Sequence, residues 1–404
     1  MNVLILCGVF ASENEQQVID HARAPVEFSA NIFQQRLIEG FRRKYESVSV
    51  VSAPFIGSFP NASDLCCFRG FTNQQDQYQY VSFHNLFGYR NFSRFRGLSK
   101  ALDAFIALDE PEKLLVVYSA HTPFLHAAAY AKKKDPRIRI CFYVPDLPEY
   151  MNLNSNRSKL YDVAKWFDIR QMERYMDCVD SYVLLTSHMA KRLPVGDKAC
   201  LIVEGILPVD TDFTPVSEHP GEYKDIVYTG KLYGKFGISF LLQAFDTIAD
   251  EKCRLVLCGS GDCDDMVQTA AGNDSRIVLT GQVSPEIARQ LQQSAAVLVN
   301  PRPDNEEYTK YSFPSKTLEY LITGKPVVAY LLQGMPKEYG KYLYPIQNQQ
   351  PPVQAISDAL RCALNADEET QREKFNRFRL YARNSLTADV IAEKIVAITY
   401  VGGT

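Results

Sequence analysis

Short apolar runs alternate along this chain with longer stretches of helical periodicity. Candidate strands cover 2–7 (NVLILC), 47–51, 113–118 (KLLVVY), 138–144 (IRICFYV), 181–185 and 200–204. A second series follows at 225–229 (DIVYT), 253–258 (CRLVLC), 276–279, 296–299 and 326–331. Helical patterns fall between them, at 28–44, 98–108, 158–177, 237–250, 284–294 and 355–382. Strands alternating with helices predict an α/β protein, its parallel sheets covered by helices on both faces. The alternation restarts after the polar, Pro-rich stretches 208–215 (PVDTDFTP) and 217–221 (SEHPG), which read as a linker. The expected architecture is two doubly wound, Rossmann-like domains, 1–208 and 222–386, with ligands at the strand C-terminal ends facing a central cleft. The amphipathic segment 387–401 predicts a helix crossing back, so that 387–404 packs on the first domain.

Composition narrows the classes. At 404 residues the chain exceeds an ordinary single core, which supports two domains. A net charge of −3 argues against a nucleic-acid partner. Ten cysteines include no C-x-x-C pair, and with six histidines they outline neither a zinc site nor a disulfide framework. Cys7 and Cys258 sit inside apolar runs, where cysteine acts as a small hydrophobe. The N-terminal MNVLILCGVFA lacks a basic leader and reads as a first strand. No apolar run reaches the roughly 18 residues of a membrane span. The expectation is a reduced, cytoplasmic protein.

Candidate chemistry concentrates in 311–329, YSFPSKTLEYLITGKPVVA. Pro314 suits a first helical turn, Gly324 closes the helix and Pro326 prevents its continuing. The helix would open with Ser315, Lys316 and Thr317, whose N–H groups have no intrahelical partner. Free amides, a positive dipole end, a lysine and a hydroxyl make a phosphate site, and Glu319 one turn later could hold a ribose. In the same half, strand 225–229 runs into Gly230-Lys231-Leu-Tyr-Gly234-Lys235-Phe-Gly237. Glycine lets backbone approach a diphosphate and lysine supplies charge without a metal, though a surface turn with solvated lysines has the same composition. Gly259-Ser-Gly261 reads as a tight turn. The neighbouring Asp262, Asp264 and Asp265 mimic a metal motif but fit an acidic helix start better. The loop Gly281-Gln-Val283 could read a base with backbone groups or simply end a strand.

In the first half, strand 113–118 leads to His121, a position that faces the ligand crevice of a doubly wound sheet or packs there as a hydrogen-bonded histidine. His126, in an apolar helix, reads as structural. Asp146 and Glu149 follow strand 138–144 and could bind sugar hydroxyls or cap a helix. Arg90–Lys100 interleaves basic and aromatic residues; it fits a solvated loop leading into a helix, or contact with anionic lipid or a lipid-diphosphate acceptor.

Taken together, YTGKLYGKFGISFLLQAF, LVLCGSGD, RIVLTGQV, NPRPDNEEYTKYSFPSKTLEYLITGKPVVAY and GMPKEY resemble the donor domain of glycosyltransferase family 4, with its GT-B architecture. The N-terminal half resembles it through the first strand with Gly8, VEFSANIFQQRLIEGF, the histidine strand end and DLPEYM. The resemblance implies that Lys231 and Lys235 neutralise the donor diphosphate, with Gly230 beside them. It implies that Ser315 and Lys316 amides hold the distal phosphate, Glu319 the ribose and Val283 the edge of the base. His121 would contact the transferred sugar, and Gly8 would let donor and acceptor approach. The family's first glutamate falls at Tyr311, where the sugar is usually met.

The implied activity is retaining, metal-independent transfer from a nucleotide-diphosphate sugar to a glycan or lipid-linked acceptor, in surface polysaccharide synthesis. No separate cofactor is implied, and peripheral membrane contact is. A sugar-nucleotide epimerase of the same fold and a silent donor-binding subunit are the alternatives.

Overall fold

The computed structural model describes residues 1–10, 12–23, 28–73, 77–150, 159–213 and 222–400. Most of the expected linker, 214–221, and residue 401 of the last predicted helix lie outside the described residues. The chain divides into two compact units, Met1–Val209 with Ser385–Thr404, and Asp210–Asn384.

In chain order unit 1 comprises β1 (Asn2–Cys7), α1 (Ser12–Asp20), α2 (Phe28–Lys44), β2 (Val48–Ser52), β3 (Cys67–Phe68), β4 (Thr72–Asn73), β5 (Tyr78–Tyr80), β6 (Phe83–His84) and α3 (Arg90–Ile106). It continues with β7 (Lys113–Tyr118), α4 (Thr122–Lys134), β8 (Ile138–Val144), α5 (Lys159–Tyr175), β9 (Ser181–Leu184) and β10 (Ala199–Ile202). Eight strands form one sheet in the order β10-β9-β8-β7-β1-β2-β5-β4, parallel except where β4 meets β5. Buried on both faces, the central strands need apolar side chains at nearly every position. Accordingly Leu114–Val117 and Ile140–Val144 are fully enclosed.

Unit 2 runs β11 (Lys224–Thr229), α6 (Ile238–Asp246), β12 (Cys253–Cys258), α7 (Asp264–Asn273), β13 (Ile277–Gly281), α8 (Pro285–Ser294), β14 (Val297–Asn300), α9 (Ser315–Ile322), β15 (Val327–Tyr330), β16 (Tyr344–Ile346), α10 (Pro352–Leu364) and α11 (Glu368–Ser385). Its six strands, ordered β13-β12-β11-β14-β15-β16, are all parallel. In each unit the strand order reverses at the first strand, beside β1 and beside β11, which opens a crevice at the strand C-terminal ends.

Three helices depart from the hydrophobic pattern. The helix expected at 98–108 begins at Arg90, because the basic-aromatic segment is itself helical. Arg94 takes a core position there, donating from Nη2 to the Pro54 carbonyl at 2.8 Å and lying 4.4 Å from the Phe83 ring. The stretch 355–382 splits into α10 and α11, since Asp367 accepts from the Thr370 N–H at 2.7 Å and its hydroxyl at 2.9 Å, starting a new helix. The stretch 237–250 ends at Asp246, where the Thr247 hydroxyl donates to the Ala244 carbonyl at 2.7 Å.

α12 (Ala388–Tyr400) lies on α2 and reaches β10 and β8 in unit 1. Contact at Gly40 is close, as an added Cβ would stand 2.1 Å from the Ala388 carbonyl oxygen. Among the described residues no helix is long and apolar enough to cross a membrane. Gly40→Ala should push α12 off α2 and cost about 1–3 kcal/mol, the usual range for overpacking. Faster amide exchange along α2 and α12 would report it, and protection equal to the parent would show that the interface can yield.

Candidate active site

Unit 2 carries a pocket of about 770 Å³ at its switch point. The ends of β11, β12 and β13 (Thr229–Lys231, Cys258–Ser260, Gln282–Val283), one face of α8 and one face of α9 line it. Its foundation is Thr229. The Thr229 N–H donates to the Tyr320 hydroxyl oxygen at 2.9 Å, and that hydroxyl lies 3.3 Å from the Thr229 carbonyl, to which it donates. Gln292 Nε2 donates to Thr229 Oγ1 at 2.9 Å. All three side chains are buried, and burial holds the Tyr320 phenol well above the usual tyrosine range, so it stays protonated and able to donate. The knot ties β11 to α9 and α8, the elements that carry the flanking site residues.

Beyond Thr229 the backbone turns sharply, with Gly230 at φ 153° and Gly259 at φ 143°. A Cβ on Gly259 would fall 1.8 Å from the Gly230 carbonyl oxygen, and one on Gly230 would fall 2.5 Å from Lys316 Cε. The glycines therefore let two strand ends close up and let the Lys316 stem lie across one of them. Tyr228 Oη donates to the Lys231 carbonyl at 2.8 Å, steadying the turn that presents Lys231. Lys231, Lys316 and Arg289 face Glu319 and Asp212 around the pocket, a mixed but cationic lining.

The structure thus brings Gly230, Lys231, Val283, Lys316 and Glu319 together. Lys235, Tyr311, Ser315 and Thr317 are not in the lining. Lys235 sits in a 3-10 turn, Gly234–Phe236, with its ammonium 5.5 Å from the Tyr233 ring, and Lys231 approaches the same ring at 5.9 Å. Tyr311 closes the 3-10 turn Glu307–Tyr311.

The helix start differs from expectation in two respects. Pro314 stands at the N-cap with ψ 104° rather than in the first turn, since that extended ψ keeps it outside the helix. Its carbonyl accepts the Thr317 N–H at 2.9 Å, so Thr317 offers no free amide. The Thr317 side chain is buried towards Asn300, 3.4 Å away. Among the described residues the Ser315 and Lys316 N–H groups make no such backbone bond. Gly324, at φ 76°, follows the helix end.

The acidic cluster after β12 is structural: Asp262 accepts from Gly234 N–H at 2.8 Å and Asp264 from Gly261 N–H at 2.7 Å, at the start of α7. Among the described residues no group of three or more His, Cys, Asp or Glu is placed to hold a metal ion. Arg289 and Gln292 carry no signal in the sequence, because polar residues on an amphipathic helix give no sign of which cavity they face; Gln282 lies in the loop expected to offer backbone groups, and its side chain also borders the cavity. Ser260, whose hydroxyl accepts from Gln282 Nε2 at 2.7 Å, lay in a segment read only as a turn.

In unit 1, Gly8 follows β1 and His121 follows β7, both at that unit's switch point. A Cβ on Gly8 would stand 2.4 Å from the Phe55 ring, and that ring stacks on His121 with centroids 4.6 Å apart. What the missing side chain makes room for is therefore Phe55. Ser119 holds φ 77°, an uncommon value for a residue with a side chain, two residues before this histidine. His121 is half-buried; desolvation first, then the positive charges of Arg94 and Arg90, push its pKa down to about 3. It is a neutral imidazole at physiological pH. His126 is stacked between Phe95 and Tyr175, and Glu149 is engaged by Arg192 at 2.9 Å.

Residues 223–364 match the family model described as Glycosyl transferases group 1. The whole chain also aligns with solved structures. HepE of Anabaena, crystallised with UDP, shares 12% identity and a TM-score of 0.60, over 98% of each chain. Sucrose-phosphate synthase of Thermosynechococcus elongatus shares 15% identity and a TM-score of 0.61, again over 98% of each. The α,α-trehalose 6-phosphate synthase of Burkholderia multivorans shares 12% identity and a TM-score of 0.61, over 99% of this chain and 97% of that one. The fold is GT-B. No curated protein matches the chain by sequence. The pocket of unit 2 lies at the C-terminal edge of its parallel sheet, the place where doubly wound sheets in general take ligands.

Two outcomes follow from this geometry. Tyr320→Phe leaves the buried Thr229 N–H without a partner and should cost about 1–3 kcal/mol; an unchanged denaturation midpoint would show that the phenol does not hold the strand end. His121 should make unit 1 less stable in acid. Between the ordinary pKa of 6.5 and about 3 the unfolded chain binds the proton that the folded unit refuses, so stability falls as pH drops through that window. His121→Gln should flatten this part of the pH–stability profile, and an unaltered slope would place the imidazole in water.

Proposed function

We propose that unit 2 binds a nucleotide-diphosphate sugar and that the protein transfers the sugar to a hydroxyl of a glycan or lipid-linked acceptor. The observation that carries this reading is the convergence of Lys231, Lys316 and Glu319 on one pocket at a topological switch point. The family match over unit 2 supports it, as does likeness to a fold solved with UDP in HepE.

The chemistry follows from charge. Breaking the bond between the anomeric carbon and phosphate leaves a diphosphate with an added negative charge. Lys231 and Lys316 would stabilise that charge, together with the Ser315 and Lys316 amides at the positive end of α9. Lysine ammonium groups would serve in place of a divalent ion, making the reaction metal-independent. Glu319, exposed at the pocket wall, would accept hydrogen bonds from ribose hydroxyls, and Val283 would flank the base. Lys235 lies outside the lining and would act at longer range. A neutral His121 would offer hydrogen bonds to substrate without adding charge.

We assign transfer with retention of anomeric configuration, by a cytoplasmic enzyme of surface polysaccharide synthesis. Tyr311 in place of a carboxylate is the feature that sets this chain's handling of the sugar apart.

Incubation with a panel of nucleotide sugars, with and without lipid-linked and free glycan acceptors, tests the reading. Acceptor-dependent release of nucleoside diphosphate in the presence of a chelator is expected. Conversion of donor without acceptor would instead make it an epimerase. Lys231→Ala should lower kcat/KM on the order of a hundredfold, as for other lost transition-state contacts, and Glu319→Ala should act mainly through KM. Parental kinetics in both variants would overturn the site.

A further inference from the structure

Unit 1 leaves large apolar side chains uncovered on two neighbouring helices. Along α5, Val163, Trp166, Phe167 and Arg170 follow helical spacing on one face; Trp166 is 52% and Phe167 62% exposed. Phe87, three residues before α3, is 67% exposed, and Phe92 in its first turn is 52% exposed. Asn91 Nδ2 donates to Asp168 Oδ1 at 3.3 Å, which holds the beginning of α3 beside the middle of α5 and joins the two groups. Isolated exposed hydrophobes are ordinary; a cluster of aromatic rings on adjoining helices marks a contact surface.

The charge around these rings identifies the partner. Arg96 lies 6.0 Å from the Phe92 ring and Arg170 5.0 Å from the Trp166 ring. Over 87–100 and 162–175, Arg90, Arg96, Lys100, Lys165, Arg170 and Arg174 stand against Asp162, Asp168 and Glu173, with Arg94 buried beneath. This corner is basic on a chain whose net charge is −3. Aromatic rings with arginines beside them match an anionic bilayer, where rings enter the interface and guanidinium groups meet lipid phosphates. A second copy of the chain would set the same arginines against each other.

We propose that this corner of unit 1 docks on an anionic lipid surface, with Phe92, Trp166 and Phe167 entering the interface and Arg96 and Arg170 binding phosphates. The surface belongs to unit 1 alone, and its occupation needs no nucleotide, so its test is separate from that of the transferase reading.

Trp166 is the single tryptophan of the chain and reports on its own site. Vesicles of phosphatidylcholine containing phosphatidylglycerol should shift its emission to the blue, and acyl chains carrying bromine should quench it. Co-sedimentation should weaken with salt and be slight with phosphatidylcholine alone. Phe92→Ser and Arg170→Glu, both at exposed positions, should each weaken binding by roughly tenfold or more while leaving thermal melting unchanged. Unchanged emission and no sedimentation with anionic vesicles would overturn the proposal. So would parental binding by both variants, or a concentration-dependent blue shift without lipid, which would assign the face to a second copy.

Discussion

The pocket of unit 2 depends on one buried knot of hydrogen bonds, at the point where β11 stops pairing. A strand that ends in the interior leaves a donor and an acceptor that water cannot reach, and leaving either unmet costs about 1–3 kcal/mol. Tyr320 meets both from α9, and Gln292 takes the Thr229 hydroxyl from α8. Satisfying the strand end and placing the site are thus one event. The residue before Tyr320 is Glu319, the residue after Thr229 is Gly230, and both border the cavity.

The surrounding construction extends this constraint. Two left-handed glycine turns bring the ends of β11 and β12 together, and the space gained over Gly230 is filled by the stem of Lys316. Lys231, Lys316 and Arg289 then border the cavity beside the backbone of these turns. Unit 1 uses its own switch point differently. An aromatic ring fills the space over Gly8 and shields a neutral histidine, so that crevice offers apolar surface and hydrogen bonds. Charged side chains line the crevice of unit 2, and rings with a neutral imidazole line that of unit 1.

Much of this was legible because parallel strands buried on both faces must be apolar throughout. β1, β7, β8 and β12 coincide with runs visible in the chain. The glycines, lysines and Glu319 could be found because turns and helix starts impose residue types at fixed spacing. Arg94 misled, because a guanidinium in a core reads as surface until its carbonyl partner and its aromatic neighbour are known. Thr317 misled likewise: its amide is lost to Pro314 and its side chain to the interior, by a backbone angle that no residue type dictates.

By itself the sequence determined the class of fold, the alternation of strand and helix, its restart after the stretch 208–221, and the two glycine- and lysine-bearing segments that border the cavity. These follow from local rules of periodicity, glycine geometry and helix ends. Only the tertiary structure decided that Arg289, Gln282 and Gln292 share the cavity, that Lys235 and Thr317 lie outside it, and that Phe92 and Trp166 occupy adjoining exposed faces. Those relations join residues far apart in the chain. Such contacts are set by how helices pack across a sheet, and side-chain periodicity records that a face is buried or exposed without recording what it meets.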